Sequence, residues 1–340
     1  MPEATGDRDG SSLSRREVMI GGAGVTAAVV ALSAIGTGCS RNRPTFRADD
    51  ALAPTDPALV KYSEIGRVEI DIPDPMGISI RQDGSLWVAG SRIVARLEPS
   101  AGPDRSGRAD LPARIEIGGD ATCITATSGA LFIGVGPNVE IARPQTDRTE
   151  VWATLGSEGH ITCIAVGAEA VYLADAVSRR VARCDTNGRI IGYLGEKDPD
   201  RGRSGLIVPS PHLDVVVGED DTVHIVNPGA HQIEVYDPDG SLRWTWGEGS
   251  QEAEGFCGCC NPTDIALLPG GEYVTSEKGI PRVKIYSSNG HFEGMVVGHE
   301  GLSQGVVGLD IAAYPDGRIA VLDRGIKAVR VFQRTEAGRA

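Results

Sequence analysis

The chain has 340 residues and a formal net charge of −13, with 41% hydrophobic and 5% aromatic side chains. That acidic balance excludes the basic stripe a nucleic-acid partner needs, and it argues against electrostatic docking on anionic lipid. Its seven cysteines must be explained individually, because neighbouring thiols become disulfides, hold metals or do redox work.

Residues 1–39 read as a targeting segment. Ser14, Arg15 and Arg16 precede an uncharged stretch from Val18 to Gly38, rich in Ala, Gly and Val. A basic region, an apolar run and small residues near its end are the parts of an export signal. The paired arginines resemble the twin-arginine type, a route for folded proteins in which a cofactor can be loaded before export. Cys39 follows Gly36, Thr37 and Gly38 and is a lipidation candidate, although Gly36 stands where a lipobox carries a large aliphatic residue. Cleavage near the same point, or an uncleaved anchor of about 20 residues, are the other two outcomes. All three put the remaining chain in the periplasm or another extracytoplasmic space. It would then touch membrane only through the N-terminal segment or a lipid on Cys39. Residues 40–60, rich in Pro, Asp and Ala and without apolar periodicity, read as a flexible tether.

From residue 61 to 335 an internal repeat dominates, followed by a short tail at 336–340. Each unit has a short apolar strand, a polar turn, a second strand, a small-residue loop and a third strand ending in a glycine turn. The clearest copies run from Asp264 to Glu277 and from Asp310 to Asp323, with third strands at Arg282–Tyr286 and Ala328–Phe332. Earlier copies start near Gly77, Cys123, Cys163 and Asp214, at intervals of 40 to 51 residues. That interval is the size of a four-stranded propeller blade, so six copies predict an all-β, six-bladed propeller. The segment Arg67–Ile72 is a lone strand, and it is expected to complete the sixth blade.

These copies resemble NHL repeats: an aliphatic residue after the leading Asp or Gly (Ile78, Ile265, Ile311), a Gly turn (Gly271, Gly317), an acid after the second strand (Glu277, Asp323), and an aliphatic–aromatic close (Tyr286, Phe332). The resemblance covers roughly residues 60 to 335 and implies architecture, since such propellers serve as binding scaffolds and as enzymes alike.

The cysteines fall at informative places on this frame. Cys184 takes a third-strand slot filled elsewhere by Leu97, Tyr236, Tyr286 and Phe332, and reads as a core residue. Cys123 and Cys163 head innermost strands, at the repeat position held later by Asp214, Asp264 and Asp310. Cys257, Cys259 and Cys260 sit in the loop just before the innermost strand of blade five. Five cysteines are therefore expected to gather around one mouth of the central channel. A Cys-x-Cys pair suits two-point ligation of Cu, Zn or another thiophilic metal, and adjacent cysteines form only a strained, reducible disulfide. The segment from Phe256 to Pro262 also resembles exported bacterial NHL-repeat proteins, and that resemblance implies no catalytic assignment.

The same face is expected to receive Asp175, Glu277 with Lys278, and Asp323 with Arg324, either as a polar rim or as acids capping loop N–H groups. His160 and His212 precede innermost strands and are possible auxiliary ligands, although no His-x-His or HExxH motif is present. Three functions follow as expectations. The first is an envelope propeller whose cysteines form a soft-metal or thiol/disulfide redox site, serving an envelope partner, redox-active or otherwise. The second is a non-enzymatic protein-binding scaffold with a disulfide-stapled loop. The third is a metal-dependent lactonase or lyase.

Overall fold

The apolar segments between the turns are too short for helices and rich in Val and Ile, and in the computed structural model they form strands. The structure describes residues 53–97, 111–144, 146, 148–303 and 308–338. The export-signal and Cys39 readings lie outside the described residues. Among the described residues no helix is long and apolar enough to cross a membrane.

Among the described residues, twenty-three strands group into six antiparallel sheets. Beyond β1 (Tyr62–Glu69), the first sheet holds β2 (Gly77–Ile80), β3 (Leu86–Leu97) and β4 (Arg114–Asp120). The first half of β3 pairs with β2 and its second half with β4, and Arg92 lies between them at φ 59°. One element thus fills the two middle places of the blade. The second blade is β5 (Cys123–Ala126), β6 (Leu131–Val135), β7 (Asn138–Ala142) and β8 (Glu150–Thr154). The third is β9 (Ile161–Val166), β10 (Val171–Asp175), β11 (Arg180–Cys184) and β12 (Ile190–Leu194). The fourth is β13 (Val215–Val217), β14 (Val223–Asn227), β15 (Gln232–Tyr236) and β16 (Leu242–Trp246). The fifth is β17 (Asp264–Leu267), β18 (Tyr273–Glu277), β19 (Arg282–Tyr286) and β20 (Phe292–Val297). The sixth is β21 (Asp310–Ala313), β22 (Ile319–Asp323) and β23 (Ala328–Arg334), completed by β1. Gly271 and Gly317, at φ 86° and 84°, close the first turn of blades five and six, where a side chain would be strained.

Neighbouring innermost strands touch in cyclic order, and β21 returns against β2, so the sheets close into a six-bladed propeller. The expected closing strand is present but starts earlier, pairing from Tyr62↔Arg334 to Glu69↔Ala328. Arg330 adds an ion pair to Glu64 across this seam at 2.6 Å. The described end of the stretch expected to be a tether is seated on the ring: Thr55 hydrogen-bonds to Glu300, and Val60 bridges to Met295.

Six apolar clusters fill the six gaps between blades. Successive side chains of one strand therefore serve two gaps: Tyr273 packs toward blade four and Val274 toward blade six. Burial on both faces explains why the second strands read as nearly unbroken apolar runs. Between blades four and five the filling is aromatic, with Trp246 4.6 Å from Tyr273 and 4.9 Å from Tyr286 by ring centroids. Each such ring contributes roughly 1.5–3 kcal/mol by burial alone.

Candidate functional site

The register places the start of each innermost strand beside the end of the second, as in Asp264↔Ser276. Loops entering a blade and loops between its second and third strands therefore share one face. At the end of the second strand, blades three to six carry Asp175, Asn227, Glu277 and Asp323, and each accepts a backbone N–H from the loop entering its own blade. The donors are His160 (3.2 Å), Ile207 (2.9 Å), Cys257 (3.2 Å) and Ser303 (3.3 Å). Asp175 also takes the N–H groups of Val177 and Ser178 at 3.2 Å each. The expected acidic rim is thus a set of buried caps: Asp175, Glu277 and Asp323 are 3%, 0% and 1% exposed.

Blade five adds charge to the device. Glu277 holds Arg282 at 2.7 Å and Lys284 at 2.5 Å. Lys284, fully buried, donates to Gly255 O at 2.8 Å and lies 4.6 Å over the Phe256 ring. Burial pulls its ammonium down to about 8, against the opposing pull of Glu277. Sequence reading missed Arg282 and Lys284, because a strand alternating base with aliphatic looks half-exposed. The long loop from Gly247 to Thr263 folds over them, and its length was the available signal.

The loop carrying three cysteines is therefore held without a disulfide. Asn261 bonds Cys257 O and Lys278 O through Nδ2 and accepts Lys278 N at 2.9 Å, and Tyr286 OH donates to Glu254 O at 2.9 Å. All six described cysteines are free. Cys257 is buried beside Glu277, and burial raises its pKa. Cys259 is exposed, and its Sγ lies 3.2 Å from that of Cys260. Burial pushes the Cys260 thiol up, but its contacts with Lys278, Ser210 and Cys259 outweigh that and leave it lowered.

Cys123 and Cys163 are elsewhere, inside the channel. Burial pushes Cys123 up to about 12 and Cys163 well above the ordinary thiol range. The expected five-cysteine site is not assembled. Among the described residues no three of His, Cys, Asp and Glu come together as a group able to hold a metal. The soft-metal and redox reading built on Cys257, Cys259, Cys260, Cys123 and Cys163 is overturned by this separation. The physical reason is that repeat position fixes the ring slot of a residue, whereas the Glu277 cap turns Cys257 inward and the channel wall separates the other pair.

What the channel does assemble is a ring of strand heads. Asp214 accepts Ile265 N at 2.6 Å, Asp264 accepts Ile311 N at 3.3 Å, and Asp310 accepts Ile78 N at 2.5 Å, each tying its blade to the next. Cys163 donates to Val215 O at 3.3 Å. Gly77 completes the ring where a Cβ would meet Cys123 Cα at 3.2 Å. Among the described residues no ion pair to the three aspartates is formed, and Arg324 acts electrostatically on Asp310. Burial raises Asp214 to about 7, Asp310 to about 6 and Asp264 well above the carboxylate range, with repulsion from neighbouring carboxylates adding to the rise at Asp214 and Asp264. The channel is a cavity of about 660 Å³, and His160, His212 and Arg324 line its mouth.

No family model matches the chain. No curated protein matches it either. Among solved structures it is similar to the WD40 β-propeller domain of Doa1, with 13% identity, a TM-score of 0.54, and coverage of 82% of this chain and 98% of that one. It is also similar to a structural-genomics protein of unknown function from Bacteroides thetaiotaomicron, with 14% identity, a TM-score of 0.56, and coverage of 80% and 75%. These likenesses agree with the β-propeller fold, whose six blades are read from the sheets themselves.

Proposed function

We propose that this chain is an NHL-type propeller acting as a non-enzymatic scaffold that presents its loop face to a protein partner. The observation that carries the reading is the repeated cap. In four successive blades a buried polar side chain fixes the entering loop to its neighbour, so the face is ordered before any partner arrives. A pre-ordered face loses less entropy on binding. It presents Val177, Ile207 and Ile326 to solvent, at 59%, 45% and 46% exposure. The repeat pattern supports the NHL assignment, and the paired arginines at Arg15 and Arg16 support a partner in the cell envelope.

The test uses cross-linking of the full chain in its own cells, followed by identification of the linked proteins. A partner captured by wild type should be lost when Val177, Ile207 and Ile326 are each changed to Asp. It should be retained when Val151 and Ile191, exposed on the outermost strands β8 and β12, are changed instead. Equal capture by both sets of variants would sink the reading.

A further inference from the structure

The sequence puts acid beside base at one point of blades five and six, as Glu277 with Lys278 and Asp323 with Arg324. The fold separates each pair. Glu277 turns inward to Arg282 and Lys284, and Asp323 to Arg330 at 3.5 Å. Lys278 and Arg324 stay at the surface, and among the described residues neither has an ion-pair partner. Lys278 Nζ donates to Ser210 Oγ at 2.6 Å and lies against the Cys260 thiol. Both cations reach His212, two residues beyond Ser210. Burial, Lys278 and Arg324 together hold its imidazole down at about 4, so at neutral pH it is an uncharged hydrogen-bonding group.

A chain of net charge −13 thus places Arg324 in the wall of a cavity of about 660 Å³, a volume within the range of small-molecule sites, with Lys278 bonded to Ser210 two residues from the lining His212. The wall below the mouth changes character. First come Asp264 and Asp310, already engaged by backbone N–H groups, with Asp310 close enough to feel Arg324. Beyond them lie Ile80, Val166, Val217, Leu267 and Ala313 from the far ends of five innermost strands. A guanidinium fork, with an ammonium that acts on the same imidazole, suits one carboxylate. A phosphate dianion would press its second charge toward the aspartates, while an apolar body would reach the aliphatic end.

We propose that the channel mouth binds a small organic carboxylate, held by Arg324 and Lys278 with His212 as a neutral hydrogen-bonding partner, its apolar body entering the channel. The site opens on that same loop face, and small acids test it with no protein partner present.

The test is calorimetric titration of the full chain with acetate, hexanoate and a hexaglutamate peptide at fixed chloride. Hexanoate should bind more tightly than acetate and lose at least tenfold in affinity in Arg324→Ala and in Lys278→Ala. Lys327→Ala, an exposed cation on the Arg324 loop, should bind as wild type does. Circular dichroism checks each fold, and Arg324→Ala decides alone if Lys278→Ala unfolds. The proposal is overturned if neither acid binds at millimolar concentration, or if Lys327→Ala weakens binding as much as Arg324→Ala. It is equally overturned if the peptide binds and hexanoate does not compete, which would make the mouth a dock for acidic segments.

Discussion

Two sets of buried acids in this propeller do the same mechanical work under opposite electrostatics. On the loop face, Glu277 and Asp323 accept a loop N–H and also hold cations, Arg282 and Lys284 in one case and Arg330 in the other. In the channel, Asp214, Asp264 and Asp310 accept a strand N–H from the next blade, and among the described residues no ion pair to them is formed, with Arg324 acting electrostatically on Asp310. The channel set is driven toward the protonated form by burial. Burial and backbone hydrogen bonds are common to both sets, and the ion pairs distinguish them.

Breaking the loop-face set should cost most. Glu277→Ala leaves Arg282 and Lys284 buried without their carboxylate, a loss of about 3–5 kcal/mol. It should lower the denaturation midpoint more than any channel substitution, and it should expose the loop from Gly247 to Thr263 to protease. Glu277→Gln, which keeps a hydrogen-bonding oxygen but not the charge, should recover only part of the loss.

The channel set should show itself through pH. A carboxyl whose folded pKa lies above its unfolded value keeps its proton in the folded state while the unfolded chain releases it. Stability contributed by such a group is complete below pH 3.8 and declines as pH rises, until Asp214 itself ionises near 7. The three aspartates together should therefore make the fold less stable at pH 8 than at pH 5. Asp214→Asn and Asp264→Asn should each flatten that slope in denaturation measured across this range. A slope unchanged by both substitutions would mean that these acids ionise freely in the folded channel.

Asp175 sharpens the comparison from a third side, since it caps three N–H groups and no ion pair to it is formed among the described residues. Asp175→Ala should cost about 1–2 kcal/mol, less than Glu277→Ala because water can reach the freed donors. Faster amide exchange should be confined to His160, Val177 and Ser178.

How much of this was written in the chain follows from the same residues. Blade number, strand order and the closing strand were legible, because Asp264–Glu277 and Asp310–Asp323 repeat a pattern that only a ring can bury on both faces. The shared ring position of Cys123, Cys163, Asp214, Asp264 and Asp310 was legible too. Side-chain direction was not. Whether Glu277 faces the channel rim or Lys284 depends on a loop folding over β19, and nothing in the local pattern of Arg282–Tyr286 announces that cover. Reading the cysteines by ring position alone therefore joined thiols that the fold keeps apart.

That separation gives the smallest and last effect. Cys259 is exposed and Cys260 lies beneath it with its pKa lowered, so both should react with a thiol reagent in the native state. Cys123, Cys163 and Cys184, buried or walled in the channel with raised pKa values, should wait for unfolding. Cys259→Ser touches no core contact and should change stability by less than about 0.5 kcal/mol. Counting thiols labelled before and after denaturant distinguishes the two groups: early labelling of Cys123 or Cys163 would mean that the channel opens to solvent far more readily than its carboxyl ring implies.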